Sequence, residues 1–478
     1  MDLTFISYIF YITVYLIALL LIIRVLEIKR APVAALAWIL AIIFLPYFGA
    51  LIFLLFGNNH IERPLARKKR EREDFRGRKP STWKVTDFES PRDMKEWMPL
   101  VNLMSRVSGF APTTGNNIEL YTDGIEGYRS MFEAIDEAER FICFQTYIFR
   151  NDHIGEKFIS HLAEKANSGV KVRLLYDAIG SQWLKKSMLV PLTKAGGMAV
   201  PFLPVNILRR KFQINLRNHR KIMVIDGKVG FTGGLNVGKE HVGENPRYGS
   251  WRDTHLRLEG PSVRGLAYVF AEDWHFATGE DLHGELETES PVKSGDHEIQ
   301  VISGGPDQHI NPIKEWYYTV AARARKRLWI TTPYFIPDET MIDGLRMASL
   351  MGVDVRLLTQ GTPPDQWITY MAARYYWQDM LEAGVRIWQY GEGMLHSKVI
   401  LVDGIMASVG TANFDNRSLK LDFEVNCLIY SVEVIEDLEE QFRKDLGASR
   451  EVSFKEFQKR SILKQAAENG CRLFSPLL

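Results

Sequence analysis

Asn218-His219-Arg220-Lys221-Ile222-Met223-Val224-Ile225-Asp226-Gly227 and Leu395-His396-Ser397-Lys398-Val399-Ile400-Leu401-Val402-Asp403-Gly404 are two copies of one pattern. In each, His and Lys stand two apart, and Asp-Gly closes an apolar run of four residues. The first copy runs on into Thr232-Gly233-Gly234-Leu235-Asn236 and the second into Gly410-Thr411-Ala412-Asn413, so an Asn stands 17 residues after the His both times. A lone His-x-Lys is an ordinary feature of a surface strand. Two copies with the same trailing Asn mark a site built twice.

Short apolar runs ending in Asp-Gly read as buried strands entering hairpin turns, because Gly supplies the positive φ such a turn needs and Asp tolerates it. On a strand, side chains two apart share a face, so His219 and Lys221 pair up, as do His396 and Lys398. Asp226 and Asp403 fall at the turn and read as the structural members of the motif. Folding the chain back about Asp226-Gly227 brings residue 234 opposite His219 and Asn236 next to it, and the same reflection puts Asn413 beside His396. Each copy then offers an imidazole, an ammonium and an amide on one patch. Lys and Asn suit phosphoryl oxygens, and His alternates between neutral nucleophile and protonated acid near neutral pH. One His from each copy could serve opposite sides of a single phosphorus. Neither copy has the ligand spacing of a metal site, so no metal is expected, the two lysines carrying the positive charge.

The duplication extends beyond the motif. Gly169-Val-Lys-Val-Arg-Leu-Leu175 recurs as Gly352-Val-Asp-Val-Arg-Leu-Leu358, and Phe141 to Phe149 parallels Leu328 to Ile336. Helical patterns over Ile154–Asn167 and Glu339–Met351 alternate with these strands, which predicts an α/β fold of two similar halves with the motifs facing one another.

The doubled motif with its trailing Gly-x-x-Asn resembles the phospholipase D superfamily and, within it, the bacterial cardiolipin synthases. The match runs from about Asn117 to Val432 and reaches the whole chain once the flanking segments are counted. The resemblance implies two phospholipase D-type α/β halves around one active site. It also implies a covalent phosphohistidine on His219 and chemistry without metal or cofactor. The substrate it implies is phosphatidylglycerol, two molecules of which would give cardiolipin and glycerol. A membrane-anchored hydrolase of the same superfamily is the alternative. On the same resemblance, Asp253 and Glu424 are the carboxylates that orient the two imidazoles, as in other nucleophile–base–orienter sets.

The 478 residues carry 59 Lys and Arg against 58 Asp and Glu, a balance without the basic footprint of a nucleic-acid binder. Leu3 to Ile23 and Ala31 to Phe56 are free of charge, the second interrupted by Pro46 and Gly49. These predict an N-terminal hydrophobic helical hairpin that anchors the chain in a bacterial cell membrane. The link between them carries Arg24, Lys29 and Arg30, and Glu62–Lys79 holds nine basic residues against four acidic. Two full spans put these flanks on opposite sides, and the longer cluster then keeps the catalytic part cytoplasmic. A second segment that re-enters at Pro46 satisfies both flanks. The expected organisation is membrane segments over 1–57, a basic linker over 58–110, halves over 111–285 and 286–450, and an amphipathic tail over 451–478. Asn206 to Arg217 interleaves Arg209, Arg210 and Lys211 with Ile207, Leu208, Phe212 and Ile214, and is expected to lie on anionic membrane lipid. Three cysteines imply no disulfide framework.

Overall fold

The computed structural model describes residues 3–27, 32–53, 62–77, 94–204, 215–286, 292–361 and 364–478. The chain divides into two compact units, Met1–Arg67 and Lys68–Leu478.

The first unit contains α1 (Leu3–Glu27), α2 (Pro32–Phe44) and α3 (Pro46–Ile52). Ala18, Val25, Ile42 and Phe53 are buried together, while Leu20, Leu26, Leu36, Phe44 and Phe48 are exposed. The second apolar stretch is not one straight helix. It breaks at Leu45, whose φ of −129° and ψ of 62° leave the helical region just before Pro46. Beyond the break α3 folds back along α2: a Cβ on Gly49 would stand 2.1 Å from the Ala41 carbonyl oxygen, and the Phe53 ring meets Trp38 edge-on at 5.4 Å. Glycine is required at 49 for that approach. Among the described residues no helix is long and apolar enough to cross a membrane.

In the second unit the first half supplies β1 (Thr113–Asp123), β2 (Phe141–Thr146), β3 (Lys171–Asp177), β4 (Met198–Phe202), β5 (Arg217–Asn218), β6 (Ile222–Ile225), β7 (Val229–Gly233) and β8 (Ser250–Glu259). The second half supplies β9 (His297–Gly304), β10 (Arg327–Thr331), β11 (Phe335–Ile336), β12 (Asp354–Thr359), β13 (Arg386–Tyr390), β14 (Gly393–Leu395), β15 (Val399–Val402), β16 (Met406–Gly410), β17 (Phe414–Asp415), β18 (Asp422–Ile429) and β19 (Ser449–Glu451). In the first half β4, β3 and β2 lie parallel, and β6, β7, β8 and β1 continue the sheet antiparallel. The second repeats this with β13, β12 and β10 parallel, then β15, β16, β18 and β9. β1 pairs with β9 and makes one sheet of the two.

The repeated sequences occupy matching places, β3 with β12 and β2 with β10. The amphipathic helices His153–Asn167 and Glu339–Leu350 cover matching strands. Each half has its own apolar core, around Phe158, Leu162 and Leu174 in the first and Trp316, Trp377 and Leu357 in the second.

One segment differs from the sequence reading. The stretch read as a basic linker contains α4 (Glu62–Gly77) and a helix over Met98–Ser108. Lys68, Arg72 and Arg76 are not a solvated cluster: they form ion pairs with Asp273 at 2.7 Å, Asp307 at 3.1 Å and Glu272 at 3.0 Å. The buried acids they meet lie far along the chain, which charge counting over one window does not register. The tail packs on the second half through Phe457, Cys471 and a buried Glu468 held by Arg374 and Arg460. Arg209, Arg210, Lys211 and their apolar neighbours lie outside the described residues.

Candidate active site

The two Asp-Gly turns are alike in detail. Asp226 and Asp403 both have φ of 54°, Gly227 has 71° and Gly404 has 75°. Lys228 N–H donates to the Ile225 carbonyl at 2.9 Å and Ile405 N–H to that of Val402 at 3.0 Å. The Asp226 carboxylate accepts from the N–H groups of Glu139, Arg140 and Phe141, each at 2.8 Å. Asp403 accepts from those of Arg325, Lys326 and Arg327 at 2.7–3.1 Å. Both carboxylates therefore tie the motif hairpin to the start of its antiparallel neighbour, β2 in the first half and β10 in the second. The pairing Ile225↔Val229 leaves three residues in the loop, so the register runs one residue past the expected reflection.

His219 and Lys221 do not sit within a strand, as expected, but in the link between β5 and β6; His396 and Lys398 occupy the link between β14 and β15. β5 pairs in parallel with β18 and β14 with β8, each in the opposite half. His219 N–H donates to the Phe423 carbonyl at 2.9 Å, and His396 N–H to that of Arg252 at 2.8 Å. The chain thus leaves the other half's sheet and enters its own across the His-x-Lys segment, which fixes both motifs at the junction of the halves.

The carboxylates pair crosswise. Glu424, on β18, lies 2.9 and 3.1 Å from His219 Nδ1, and Asp253, on β8, lies 2.8 Å from His396 Nδ1. Both acids are fully buried. Thr411 Oγ1 donates to Glu424 Oε2 at 2.5 Å, while Trp251 Nε1–H and Thr254 N–H donate to Asp253 at 3.2 and 2.8 Å. Gly234 holds the place of Thr411 in the first copy, and a Cβ there would lie 1.8 Å from Asp253 Oδ1. The glycine of one copy makes room for the carboxylate that the threonine of the other copy holds.

Lys221 Nζ donates to the His219 carbonyl at 2.7 Å, and Lys398 Nζ to that of His396. Asn236 accepts Ile148 N–H on Oδ1 at 3.1 Å and lines, with Lys221 and His255, a cavity of about 10 Å³. Asn413 Oδ1 is buried and has no hydrogen-bond partner among the described residues. Aromatic rings wall both imidazoles: Tyr147 meets His219 edge-on at 4.8 Å, and Trp251 lies 5.3 Å from His396. Sequence reasoning missed both rings and Thr411. For Tyr147 a signal existed, since the strand repeat aligns it with Tyr334.

Burial pushes both imidazoles down to about 4, with Lys221 and Lys398 adding to the effect and Glu424 and Asp253 opposing it. Each imidazole feels the lysine of the other half as well as its own, so the four groups share one electrostatic site. Burial also pushes Lys221 down to about 7 and Lys398 to about 8, which the acids only partly offset. Burial alone would raise Asp253 and Glu424, but the facing His and Lys hold both below the ordinary carboxylate range. The arrangement is a desolvated pocket in which two lysines and two ionised carboxylates surround two neutral imidazoles, each with Nδ1 engaged. Among the described residues no group of His, Cys, Asp and Glu is placed to hold a metal ion.

A family model described as "Cardiolipin synthase, PLD-like domain" matches residues 131–248 and 318–446, and one described as "Phospholipase_D-nuclease N-terminal" matches 13–58. The chain is 40% identical over 455 residues to a cardiolipin synthase of Geobacillus kaustophilus, covering 94% of this chain and 90% of that protein. It is 39% identical over 459 residues to cardiolipin synthase 2 of Bacillus cereus, covering 94% and 88%. Among solved structures, phosphatidylserine synthase of Haemophilus influenzae superposes with a TM-score of 0.58 at 15% identity, over 79% of this chain and all of that one. That likeness concerns the fold.

Proposed function

Because the chain belongs to the cardiolipin synthase family of phospholipase D-like proteins, we propose that it joins two phosphatidylglycerols into cardiolipin and glycerol at the one site its halves share. The observation that carries this reading is the crosswise pairing of His219 with Glu424 and of His396 with Asp253. It leaves each Nε2 as the reactive end of its ring and makes both halves necessary to one reaction.

A phosphodiester enters between Lys221 and Lys398, whose ammonium groups meet its charged oxygens. His219 Nε2, neutral in the empty pocket, attacks phosphorus and forms a P–N bond while the P–O bond to glycerol breaks. His396, which takes up a proton at Nε2 as the anionic phosphodiester binds and is steadied as the imidazolium by Asp253, protonates the departing alkoxide. Glycerol leaves. The terminal hydroxyl of a second phosphatidylglycerol then gives its proton to His396 and attacks phosphorus, and the P–N bond breaks to restore His219. The two ammonium groups stabilise the charge on the equatorial oxygens, with Asn236 and Asn413 as supporting amides. Metal and cofactor have no part in this scheme.

The exposed apolar faces of α1, α2 and α3 suit attachment to the membrane that holds the substrate, and the basic residues after α3 favour a cytoplasmic catalytic unit. The test is the product that the purified full chain forms from vesicles of pure phosphatidylglycerol. Cardiolipin and glycerol in equal amounts support the transferase. Phosphatidic acid without cardiolipin makes the chain a hydrolase.

A further inference from the structure

The internal duplication carries one more matched pair that the chemistry above does not use. Ser181-Gln182-Trp183-Leu184 and Asp365-Gln366-Trp367-Ile368 follow the equivalent strands β3 and β12, the first in a loop and the second running from a loop into the helix Trp367–Glu382, each Gln-Trp followed by an aliphatic residue. Both tryptophans are turned out, Trp183 71% and Trp367 58% exposed, with Ile368 exposed beside the second. A single exposed Trp is unremarkable; two at related positions of two halves form a pattern.

Both loops are rooted against the catalytic imidazoles. At the start of the first, the Asp177 carboxylate accepts Asn218 N–H at 2.8 Å, one residue from His219. Further on, the Ser181 hydroxyl donates to the Tyr147 carbonyl at 3.1 Å, and the Tyr147 ring lies against His219. At the start of the second, Gln360 Oε1 accepts Leu395 N–H at 2.5 Å, one residue from His396. Its Asp365 carboxylate accepts the hydroxyl of Tyr334, the counterpart of Tyr147. Cations flank both: Lys185 and Lys186 are exposed just after Trp183, and the exposed Arg247 donates to the Asp365 carbonyl at 3.3 Å.

We propose that Trp183 and Trp367 are a pair of interfacial anchors that seat the mouth of the active site on an anionic bilayer surface. The indole has an apolar body and one N–H donor, which places it at the boundary between acyl chains and headgroups. Lys185, Lys186 and Arg247 complement the negative surface of such a bilayer. Rooting each anchor on the backbone beside one catalytic His sets the two imidazoles at headgroup depth, where the scissile phosphodiester lies. The proposal rests on the reading of the substrate as a membrane lipid.

The test compares the full chain with Trp183→Ser/Trp367→Ser in three measurements: turnover of phosphatidylglycerol in vesicles, turnover of short-chain phosphatidylglycerol dissolved below its micellar concentration, and quenching of tryptophan fluorescence by vesicles of brominated phosphatidylglycerol. The pair predicts a fall of about tenfold or more on vesicles, a change under about twofold on the dissolved lipid, and loss of most of the quenching that remains once Trp38, which lies in the apolar helix α2, is replaced by Phe in both chains. Trp183→Phe/Trp367→Phe restores most of the vesicle rate, since Phe keeps the buried apolar area. Equal losses on both substrates would make the loops part of the pocket or the core and overturn the proposal, as would unchanged vesicle turnover and quenching. The single variants give the same readings if the double variant does not fold. Should the parent chain make no cardiolipin from either substrate, the transferase reading fails, while the quenching still decides whether the two indoles enter lipid.

Discussion

Glu424 of the second half holds Nδ1 of His219 of the first at 2.9 Å, and Asp253 of the first half returns the arrangement to His396 of the second at 2.8 Å. Neither half supplies the carboxylate for its own motif histidine. Glu424→Gln keeps the shape but removes the charge that fixes the tautomer and steadies the imidazolium. It should lower kcat by about 10²–10⁴-fold with little change in KM, as expected for an orienting carboxylate. Steady-state kinetics on folded variant checks this, and Asp253→Asn should behave alike.

Asp226→Asn should act through stability instead. One amide oxygen cannot replace a carboxylate that accepts three backbone N–H groups, and the amide's own N–H₂ would face a donor. A loss of about 2–3 kcal/mol is expected, measured by denaturant unfolding, with the folded fraction keeping most of its turnover. Normal stability with abolished turnover would assign Asp226 a direct role.

The depressed lysines give a pH signature. Lys221 is down to about 7 from 10.5, so between those values the unfolded chain binds more protons than the folded one. Stability of the empty protein should therefore rise with pH through that window. In Lys221→Met the rise should shrink and Tm at neutral pH should increase by a few degrees, while turnover falls by orders of magnitude. Thermal unfolding across pH 6–10 shows whether the ammonium is held at a cost to the fold.

Lys68 tests the reach of α4 into the catalytic unit. Its buried ammonium shares Asp273 with Arg220, which stands between His219 and Lys221, and with the side-chain amides of Gln145 and Asn218. Lys68→Met leaves that carboxylate short of a partner and should destabilise the unit by about 3–5 kcal/mol, read by thermal or denaturant unfolding. Lys69→Met, an exposed neighbour whose ion pair among the described residues is with Glu73 at 3.9 Å, should change stability by under about 0.5 kcal/mol.

How far the sequence led depended on the range of each interaction. The Asp226-Gly227 and Asp403-Gly404 turns and the doubled strands are local, and their spacing made them readable. The crosswise assignment of Glu424 and Asp253 was not, because His219 and Glu424 meet only after two halves have folded and docked. The same holds for Asp273 and Lys68, 205 residues apart. Strand parity misplaced His219 and Lys221 because β5 pairs with β18 of the other half, so the strand is broken where the chain changes partners. The charge-free run from Ala31 to Phe56 gave hydrophobicity but not direction. The close approach of Gly49 to Ala41 and the contact of Phe53 with Trp38 reveal the reversal after Leu45.

One shared site that works through a histidine-bound phosphatidyl group is most directly tested by rapid acid-free quenching of the full chain with phosphorus-labelled phosphatidylglycerol. One labelled group per chain is expected, labile to acid, on His219 as the superfamily pattern implies, and none in His219→Ala. Two groups per chain would mean independent sites in the two halves, and turnover without any labelled chain would mean direct displacement; either contradicts the shared covalent site.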